Sequence, residues 1–315
     1  MIFARFLLAF VTAVMAAVAF FPALSLSRSK RRAILLAVDV PILLSPLWIP
    51  AEVPLARFLA MLVAIALFVK LYDLHVAADR EPRPTWRTFI AWLPNLSSIV
   101  LRKLDREPRP ARSTNLRRLA WGSVGFVPGC VLLIVLSRID WSAQPFLVEH
   151  SAKVLALFLT LVPAMSALVS ILRLMGARAR DPMDNPFAAR TPADFWRRYN
   201  RPTQQFFYED IFKPAGGLRS PIRATLITFA VSAIIHEYVF SIVIGRVEGY
   251  QTAFFLLHGC VVAATERIKP QGYAAIPWLI VTYAFNLTTS VLFFASVNHI
   301  VPFYSHDLPT WLDGW

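Results

Sequence analysis

The segment Ser232–Tyr238 sets a histidine beside a glutamate, two side chains that can transfer protons, inside an otherwise apolar stretch. Residues 224–244 have the length and apolarity of a membrane-spanning helix, and His236 and Glu237 are its only strongly ionisable groups. Such groups are costly at the bilayer midplane unless a partner or a water-filled cavity receives them, so they are candidate functional residues. Alternatively, both side chains hydrogen-bond within a helix bundle and only hold it together.

An un-ionised imidazole in this position could act as a general base. It would take the proton of a hydroxyl group that attacks an acyl donor, an effect of about 10²–10⁴-fold on the rate. Glu237 projects about 100° away from His236 on a helix, so it either supports catalysis or hydrogen-bonds within the bundle. Ser232, one turn before His236, could hydrogen-bond the imidazole or a carbonyl of its own helix.

A second set of side chains lies upstream, where aromatic residues alternate with arginines. The chain reads F-W-R-R-Y-N-R-P over Phe195–Pro202 and F-K-P over Phe212–Pro214. These residue types suit an interfacial belt, in which rings lie at headgroup level and guanidinium groups meet lipid phosphates. They suit equally a site for a ligand with an adenine, phosphates and a fatty chain. Composition does not distinguish the two uses.

The composition as a whole is that of a membrane protein. Hydrophobic residues make up 57% and charged residues 16% of the 315 residues, whereas roughly a quarter of residues are charged in soluble domains. The mean hydropathy is +0.55. The Lys and Arg residues behind the net charge of +13 lie in loops between apolar runs. The charge therefore indicates membrane lipids or a phosphate-bearing ligand and does not indicate nucleic acid.

Apolar runs of about 20 residues predict an all-α integral membrane protein, a polytopic bundle of about eight transmembrane helices. The predicted spans are 3–26, 33–50, 55–73, 119–137, 154–174, 224–244, 250–266 and 276–296. We expect one domain over residues 1–315, because no stretch between spans is long enough to fold alone. The first run lacks a small-residue cleavage signature, which favours a transmembrane helix over a removed signal peptide.

Basic residues cluster in alternate loops, after the first, third and fifth predicted spans. The positive-inside rule makes these loops cytoplasmic, including the motif-bearing loop 175–223. His236 then lies roughly 18 Å from the cytoplasmic end of its helix, near mid-membrane. Residues 84–104 carry apolar side chains three and four apart, which predicts a helix lying in the membrane interface and interrupted at Pro94.

Both motifs resemble known sequences. Phe195–Pro202 with Phe212–Pro214 resembles the F-W-x-x-W-N-x-P…Y-K-P segment of diacylglycerol and sterol acyltransferases, and Ser232–Tyr238 resembles their S-A-x-x-H-E-Y segment at a similar separation. Asn185–Phe187, followed by Asp194–Trp196, is closer to the N-P-F…D-F-W of plant-type wax synthases. The chain therefore resembles the wax synthase-like branch of the membrane-bound O-acyltransferases.

The resemblance is close over residues 183–245 and extends to the other spans in hydropathy alone. It implies a helical bundle with interfacial helices around a central chamber. The chain lacks the F-Y-x-D-W-W-N element of the diacylglycerol and sterol enzymes, has Gln204 where a histidine often occurs, and has Tyr199 in place of a tryptophan. These departures argue against a diacylglycerol or sterol enzyme as such and leave the acceptor open.

The resemblance implies transfer of an acyl group from acyl-CoA, a co-substrate, with no bound cofactor and no metal. His236 is the expected general base. Asn200 is expected to orient the base or substrate or to stabilise the thioester oxyanion, and Ser232, Glu237 and Tyr238 are expected to support the base. The expected substrate-binding residues are Trp196, Arg197, Arg198, Tyr199, Arg201, Gln204 and His258. The three arginines are candidates for the phosphates of coenzyme A or for lipid headgroups.

A long-chain alcohol, which would give a wax ester, is the acceptor that the resemblance favours, followed by diacylglycerol or another lipid or natural-product hydroxyl.

A rival from another class is a proton-coupled transporter or flippase that relays protons through His236 and Glu237. Such proteins often contain inverted repeats, and no repeat is evident in this sequence. An inactive acyl-lipid binder would not need both His236 and Asn200. The Ala- and Arg-rich composition favours a bacterial inner membrane, and no oligomeric state is indicated.

The remaining reactive residue types carry less weight. His75 is expected at the interface after the third span and His150 in an outer loop. Cys130 and Cys260 fall inside predicted spans without disulfide or metal spacing and are expected to be small buried hydrophobes. Three residues near the C-terminus have no recognised ligand spacing and are expected to be solvated: His299, His306 and Asp307.

Overall fold

A computed structural model describes residues 2–79, 83–107, 109–305 and 307–309. These parts of the chain are helical, without strands. Helices α1 to α11 are Ile2–Ala19, Arg28–Leu44, Pro54–Ala77, Trp86–Trp92, Arg112–Ser137, Phe146–Leu174, Pro192–Arg198, Arg201–Phe206, Pro221–Ile244, Tyr250–Thr265 and Ala275–Asn298. Short 3₁₀ turns join several of them, and Phe207–Phe212 forms a π-helical turn.

Six segments of the described chain are long and apolar enough to cross a membrane. They are Ile2–Ser25, Pro54–Ala77, Arg112–Ser137, Phe146–Leu174, Pro221–Ile244 and Gly272–Asn298. The protein is a polytopic helical membrane protein, as the sequence predicted. The number is below the predicted eight because α10 is apolar but has only 16 residues, and α2 has 17 residues and begins with basic ones.

The second predicted span, 33–50, is shorter in the structure. Helix α2 ends at Leu44, and a 3₁₀ turn over Ser45–Trp48 follows. Pro46 has no amide hydrogen to continue the helical ladder, so the chain turns there. The carbonyl groups of the last turn of α2 therefore need hydrogen-bond donors from outside the helix.

Helices α1, α2 and α3 pack with the second half of α9 around one apolar core. Phe20, Met61, Leu71 and Val243 are fully buried in it. Helix α10 packs against both α9 and α11, and α11 in turn contacts α6. The bundle therefore brings α9, α10 and α11 together.

Helix α5 packs chiefly on α6 through glycines. A Cβ atom on Gly122 would lie 2.8 Å from the carbonyl oxygen of Pro163, and one on Gly129 would lie 2.6 Å from the hydroxyl oxygen of Thr160. No larger residue fits at either position without a shift of the backbone. In lipid, where helices gain little from the hydrophobic effect, such close contact supplies the packing that holds two helices together.

The three basic loops meet at one end of the bundle, here called the basic end. Arg31 pairs with Asp79 at 2.8 Å, and Arg118 pairs with Asp181 at 3.0 Å. The loops after α2, α5, α9 and α11 lie at the opposite end. This arrangement agrees with the alternation of loop charge in the sequence; the assignment of the basic end to the cytoplasm stays a prediction.

A buried lysine of α3 holds the predicted interfacial segment. Lys70 donates hydrogen bonds to the main-chain carbonyls of Trp92, Leu93 and Asn95 at 2.7, 3.0 and 2.9 Å. The helix predicted over residues 84–104 is confirmed in part, since α4 ends at Trp92 before Pro94 and the chain is helical again from Leu101 in a 3₁₀ turn. Its place in a membrane interface stays a prediction.

A buried arginine links the same segment to the π-helical turn. Arg102 pairs with Asp73 of α3 and, at 2.5 Å, with Asp210 of the turn. Asp73 also accepts a hydrogen bond from the main-chain amide of Leu101 at 2.9 Å. Burial raises the pKa of Asp210 above its ordinary value, although Arg102 opposes that shift. One guanidinium group therefore connects three segments at the basic end.

Candidate active site

Helix α9 carries the histidine motif deep inside the bundle. It starts at Pro221, where a proline costs no hydrogen bond, and it ends before Gly245, whose φ of +89° suits a glycine cap. His236 lies about 22 Å along the axis from the first residue and about 12 Å from the last, at 1.5 Å per residue. The imidazole is therefore in the interior of a membrane-spanning segment.

The imidazole of His236 is oriented by its own helix. Nδ1 lies 2.8 Å from the carbonyl oxygen of Ser232 and 3.4 Å from its hydroxyl oxygen. Because a carbonyl oxygen only accepts, Nδ1 carries the hydrogen and Nε2 is the unprotonated nitrogen of the neutral ring. Nε2 has no hydrogen-bond partner within the described ranges. Its lone pair is therefore available to a substrate hydroxyl.

Aromatic rings from other helices surround this imidazole. The ring of Phe255 in α10 lies 4.1 Å from that of His236, and the ring of Phe293 in α11 lies 6.5 Å away, measured between centroids. Trp196 of α7 contacts Phe255 at 5.9 Å. The tryptophan of the upstream motif and the histidine of the downstream motif thus share one aromatic neighbour, and this apolar wall would keep water from an acyl donor.

His258 holds Trp196 in place. The indole Nε1 of Trp196 donates a hydrogen bond to Nδ1 of His258 at 3.0 Å, and Nε2 of His258 lies 2.9 Å from the hydroxyl oxygen of Thr289. Thr289 donates its own hydrogen to the carbonyl of Phe285 at 2.7 Å, so Nε2 of His258 is the donor in its bond to Thr289. Fully buried and bonded at both nitrogens, His258 positions Trp196 rather than offering a second base.

Glu237 accepts hydrogen bonds from the start of α10 rather than from the imidazole of His236. Its carboxylate accepts hydrogen bonds from the amides of Glu248, Gly249 and Thr252 at 3.1, 2.7 and 2.9 Å, and from the Thr252 hydroxyl at 3.0 Å. Amides in the first turn of a helix lack partners within it, and the helix dipole favours a negative charge there. Of the two roles considered for Glu237, this geometry favours hydrogen bonding within the bundle.

Tyr238 also points away from His236. Its hydroxyl donates a hydrogen bond to the main-chain carbonyl of Leu43 at 3.0 Å. That carbonyl belongs to the last turn of α2, which leaves it without a partner in the helix. Tyr238 therefore joins α9 to α2, and any support that it gives to the base is indirect.

Asn200 occupies a backbone turn between α7 and α8. Its φ of 46° and ψ of 54° are left-handed, a conformation that asparagine adopts more readily than most residues. Its carbonyl accepts the amide of Gln204 at 2.9 Å, and the next amide, of Arg201, donates to Pro182 at 2.8 Å. Its side chain is exposed, and no contact within the described ranges joins it to His236. The turn alone gives a reason for an asparagine at this position.

The three arginines of the upstream motif differ in their surroundings. Arg198 pairs with Asp194 at 3.1 Å. Arg197 is exposed and Arg201 half-buried, and neither guanidinium group has a partner in the part of the chain that the structure describes. Arg197 and Arg201 are therefore the two motif cations that could bind an anionic ligand at the basic end without losing an internal ion pair.

Tyr199 belongs to the aromatic packing of this motif. Its ring stacks on that of Phe195 at 5.4 Å and contacts Phe158 of α6 at 5.8 Å. Burial raises the pKa of the Tyr199 hydroxyl, which keeps the group neutral. Gln204 is half-buried, and its side chain has no partner among the described residues. Tyr199 thus helps to hold α7 against α6.

Several residues outside the motifs lie elsewhere than predicted. His75 is buried within α3 and not at an interface after it. His150 is fully buried within α6 and not in a loop; its nitrogens lie 2.7 Å from the Tyr304 hydroxyl and 2.8 Å from the Leu287 carbonyl. Both helices continue past their most apolar part because these polar side chains are hydrogen-bonded or packed against other helices inside the bundle.

The cysteines differ from expectation, whereas two of the C-terminal residues agree with it. Cys260 is exposed and Cys130 half-buried, so neither is a buried core residue. His299 and Asp307 are exposed, as expected, and Nε2 of His299 lies 3.1 Å from the carboxylate of Glu248. His306 lies outside the described residues. Within the described chain, no group of three or more His, Cys, Asp or Glu residues could hold a metal ion.

Sequence reasoning missed the neighbours of both histidines. Phe255 and Phe293 are phenylalanines within apolar helices, which carry no signal of a site. Thr289 bonds to a carbonyl of its own helix as well as to His258, and only the fold reveals the second bond. The regular spacing of polar residues along α10 is the one pattern that could have indicated its buried face.

Part of the chain is similar to a known family and to a curated protein. Residues 152–295 match the model of the MBOAT, membrane-bound O-acyltransferase family, a region from the second turn of α6 to the last turn of α11. A curated protein of Arabidopsis thaliana, probable long-chain-alcohol O-fatty-acyltransferase 2, is 30% identical to the chain over 143 residues. That match covers 41% of this chain and 41% of the relative, so the chain matches less than half of the relative's length. Both findings support the membrane-bound O-acyltransferase superfamily.

Proposed function

We propose that this chain is a membrane-bound O-acyltransferase that moves a fatty acyl group from acyl-CoA to a hydroxyl group. The observation that carries the proposal is the orientation of His236, whose Nδ1 donates to the Ser232 carbonyl at 2.8 Å and whose Nε2 is left unprotonated and without a described partner. The family match over residues 152–295 supports the same reaction, since it includes both motifs.

In the proposed reaction, Nε2 of His236 takes the hydrogen of the acceptor hydroxyl as the oxygen attacks the thioester carbonyl carbon. The new carbon–oxygen bond forms, the carbon–sulfur bond breaks, and the sulfur of coenzyme A leaves and takes the proton from the imidazolium. The Ser232 carbonyl, which accepts the Nδ1 hydrogen, would stabilise the positive charge on the ring. Asn200 would either orient a substrate or stabilise the oxyanion, and no bound cofactor is needed.

The donor would approach from the basic end, which we place in the cytoplasm with the loop 175–223. Arg197 and Arg201 are candidates for the phosphates of coenzyme A because their charges are not used in described ion pairs. We place the protein in a bacterial inner membrane as a single domain around a central chamber. A long-chain alcohol is the first acceptor to test, because the plant relative is named for one; diacylglycerol or another lipid hydroxyl is the alternative.

The geometry does not favour a proton-coupled transporter. A relay through His236 and Glu237 would need the two side chains to exchange a proton. Glu237 instead accepts four hydrogen bonds from the chain around the start of α10, and the described hydrogen bonds of His236 go to Ser232 alone. The acyltransferase is therefore the function that we put forward.

The test is transfer of labelled palmitate from palmitoyl-CoA by the purified protein to a panel of long-chain alcohols and lipid hydroxyls. We expect His236→Ala to lower turnover by about 10²–10⁴-fold, the usual contribution of a general base. His299→Ala is the matched control, since His299 is exposed at the opposite end of the bundle and should retain turnover. Product formation by folded His236→Ala at the wild-type rate would exclude His236 as the base.

A further inference from the structure

One buried face of α10 carries polar residues at intervals of seven. Gln251, His258 and Thr265 all lie on this face, because seven residues make about two helical turns. His258 is bonded at both nitrogens. The Thr265 hydroxyl accepts a hydrogen bond from the amide of Ala193 at 3.3 Å and donates one to the Val261 carbonyl at 2.7 Å. Two of the three polar side chains are thus fully satisfied.

Gln251 is only half satisfied. Its side chain is 0% exposed, and its Nε2 donates a hydrogen bond to the main-chain carbonyl of Phe293 at 3.1 Å. Its Oε1 is buried without a hydrogen-bond partner in the described chain. Buried polar atoms in native proteins are nearly always paired, so an unpaired one requires an explanation such as a bound molecule.

Gln251 shares its aromatic neighbours with the candidate base. Gln251 precedes Phe255 by one helical turn, a rise of about 5.4 Å, and the Phe255 ring lies 4.1 Å from that of His236. The carbonyl that Gln251 contacts belongs to Phe293, whose ring is the other aromatic neighbour of His236. Gln251 therefore has Phe255 and Phe293, the two ring neighbours of His236, as its own neighbours, and it lies toward the end of the bundle opposite the basic end.

Two more unpaired oxygens occur in the same region. The hydroxyl of Ser241, one turn after Glu237 on α9, and Oε2 of Glu248, just before α10, are buried without partners among the described residues. Arg197 and Arg201, the candidates for binding phosphate, lie at the other end of the bundle. The region beyond His236 thus offers hydrogen-bond acceptors, which suits a ligand that carries hydroxyl groups rather than one that carries anionic groups.

We propose that Gln251 determines acceptor specificity by accepting a hydrogen bond at Oε1 from a second hydroxyl group of the acceptor. The inference rests on the proposed function, in which His236 deprotonates the first hydroxyl. Because Gln251 and His236 share Phe255 and Phe293 as neighbours, the two hydroxyls would lie on neighbouring or next-neighbouring carbons, and the acceptor class is a lipid-soluble 1,2- or 1,3-diol. An ether oxygen in place of the second hydroxyl cannot donate, and a site built to bind a hydroxyl rejects such an analogue.

The test compares three acceptors of equal chain length: 1,2-dodecanediol, 1-dodecanol and 2-methoxy-1-dodecanol. We expect the wild type to prefer the diol by about tenfold in kcat/KM, mainly through KM, the effect of one hydrogen bond. Gln251→Leu should bring this ratio close to one, whereas Gln251→Glu, which keeps an acceptor oxygen, should retain part of the preference. Thr282→Val is the control, because the Thr282 hydroxyl bonds only to the Trp278 carbonyl within the described chain.

A binding measurement separates this inference from the proposed reaction. The diol should raise the Tm of the wild type more than that of Gln251→Leu, while 1-dodecanol should raise both equally. A diol-specific shift without turnover of any acceptor would support the Gln251 site and contradict acyl transfer. Turnover with no diol preference in the wild type, or an equal loss with all three acceptors in Gln251→Leu, would overturn the assignment of Gln251 and leave the proposed reaction intact.

Discussion

The indole of Trp196 is tied to the imidazole of His258 by a hydrogen bond of 3.0 Å, although the two residues are 62 positions apart in the chain. The bond connects the loop motif to α10, and the Thr289 hydroxyl extends it to α11 at 2.9 Å. Trp196 in turn contacts Phe255, which lies against His236. The aromatic residues beside the candidate base are thus held in place by the hydrogen bonds that link Trp196, His258 and Thr289.

Replacing His258 should weaken both the fold and the site. In His258→Leu the Trp196 N–H and the Thr289 hydroxyl lose a buried partner, so we expect a loss of about 2–4 kcal/mol of stability. Turnover should also fall because Trp196 is no longer fixed. Thermal unfolding in detergent and palmitate transfer measure the two effects.

A double-mutant cycle tests whether the bond itself is responsible. Trp196→Phe removes the same hydrogen bond from the other side, so the two changes should be less than additive in free energy. Cys260→Ala, at an exposed position of the same helix, is the control for α10. Strict additivity would show that His258 acts independently of Trp196.

Substitutions of Asn200 can separate backbone from side-chain effects. Asn200 has a φ of 46°, so Asn200→Ala should cost about 1–2 kcal/mol of stability because alanine disfavours the left-handed region. Asn200→Gly keeps the turn and should leave stability within a few tenths of a kcal/mol. If the amide takes part in the reaction, both variants lose turnover; if its role is conformational, the glycine variant keeps it. Unfolding curves and transfer assays of the pair decide between the roles.

Glu237 provides a test of the capping role. Glu237→Ala leaves three amides around the start of α10 without their acceptor, and we expect a loss of about 2–4 kcal/mol. Glu237→Gln keeps one acceptor oxygen but not the charge, so it should cost about 1 kcal/mol and retain turnover. Complete inactivity of a stable Glu237→Gln protein would favour a proton relay instead. Tm values and initial rates in the same detergent provide both readouts.

Asp210 should make stability depend on pH. Burial raises its pKa in the folded state above the ordinary value of 3.8, so the folded protein holds this proton more tightly than the unfolded chain does. The corresponding stability is complete below pH 3.8 and is lost as pH rises through the folded pKa. Asp210→Asn cannot ionise, so its Tm should rise relative to the wild type as the pH increases above about 4. A constant difference in Tm across that range would contradict the shifted pKa.

The helices were predictable from apolar runs, but their ends were not. Helix α6 begins at Phe146 rather than at 154, because Glu149 and Lys153 pair at 2.5 Å. Glu149 also accepts the amide of Ser305 at 2.7 Å. Lys70 is retained inside α3 by the carbonyls of another segment. A hydropathy profile ends a span at such charged residues, because it contains no information on partners that are distant in sequence.

The site was predictable in its motif and not in its contacts. His236 stood out because an ionisable group in an apolar run requires a reason. That Glu237 would bind α10, and that His258 would bind Trp196, depends on how neighbouring helices are turned toward each other. No local pattern encodes that orientation, which follows from the packing of the whole bundle.

Neighbouring residues of α9 also have a geometric consequence for the base. Glu237 and Tyr238 project about 100° apart, and one is bound to the start of α10 while the other is bound to the end of α2. Two attachments in different directions fix the rotation of α9 about its own axis. The direction of the His236 imidazole therefore depends on α2 and α10, to which His236 makes no hydrogen bond. Exchanging Glu237 with Tyr238 would turn the imidazole in another direction, although the side chain of His236 itself would be unchanged.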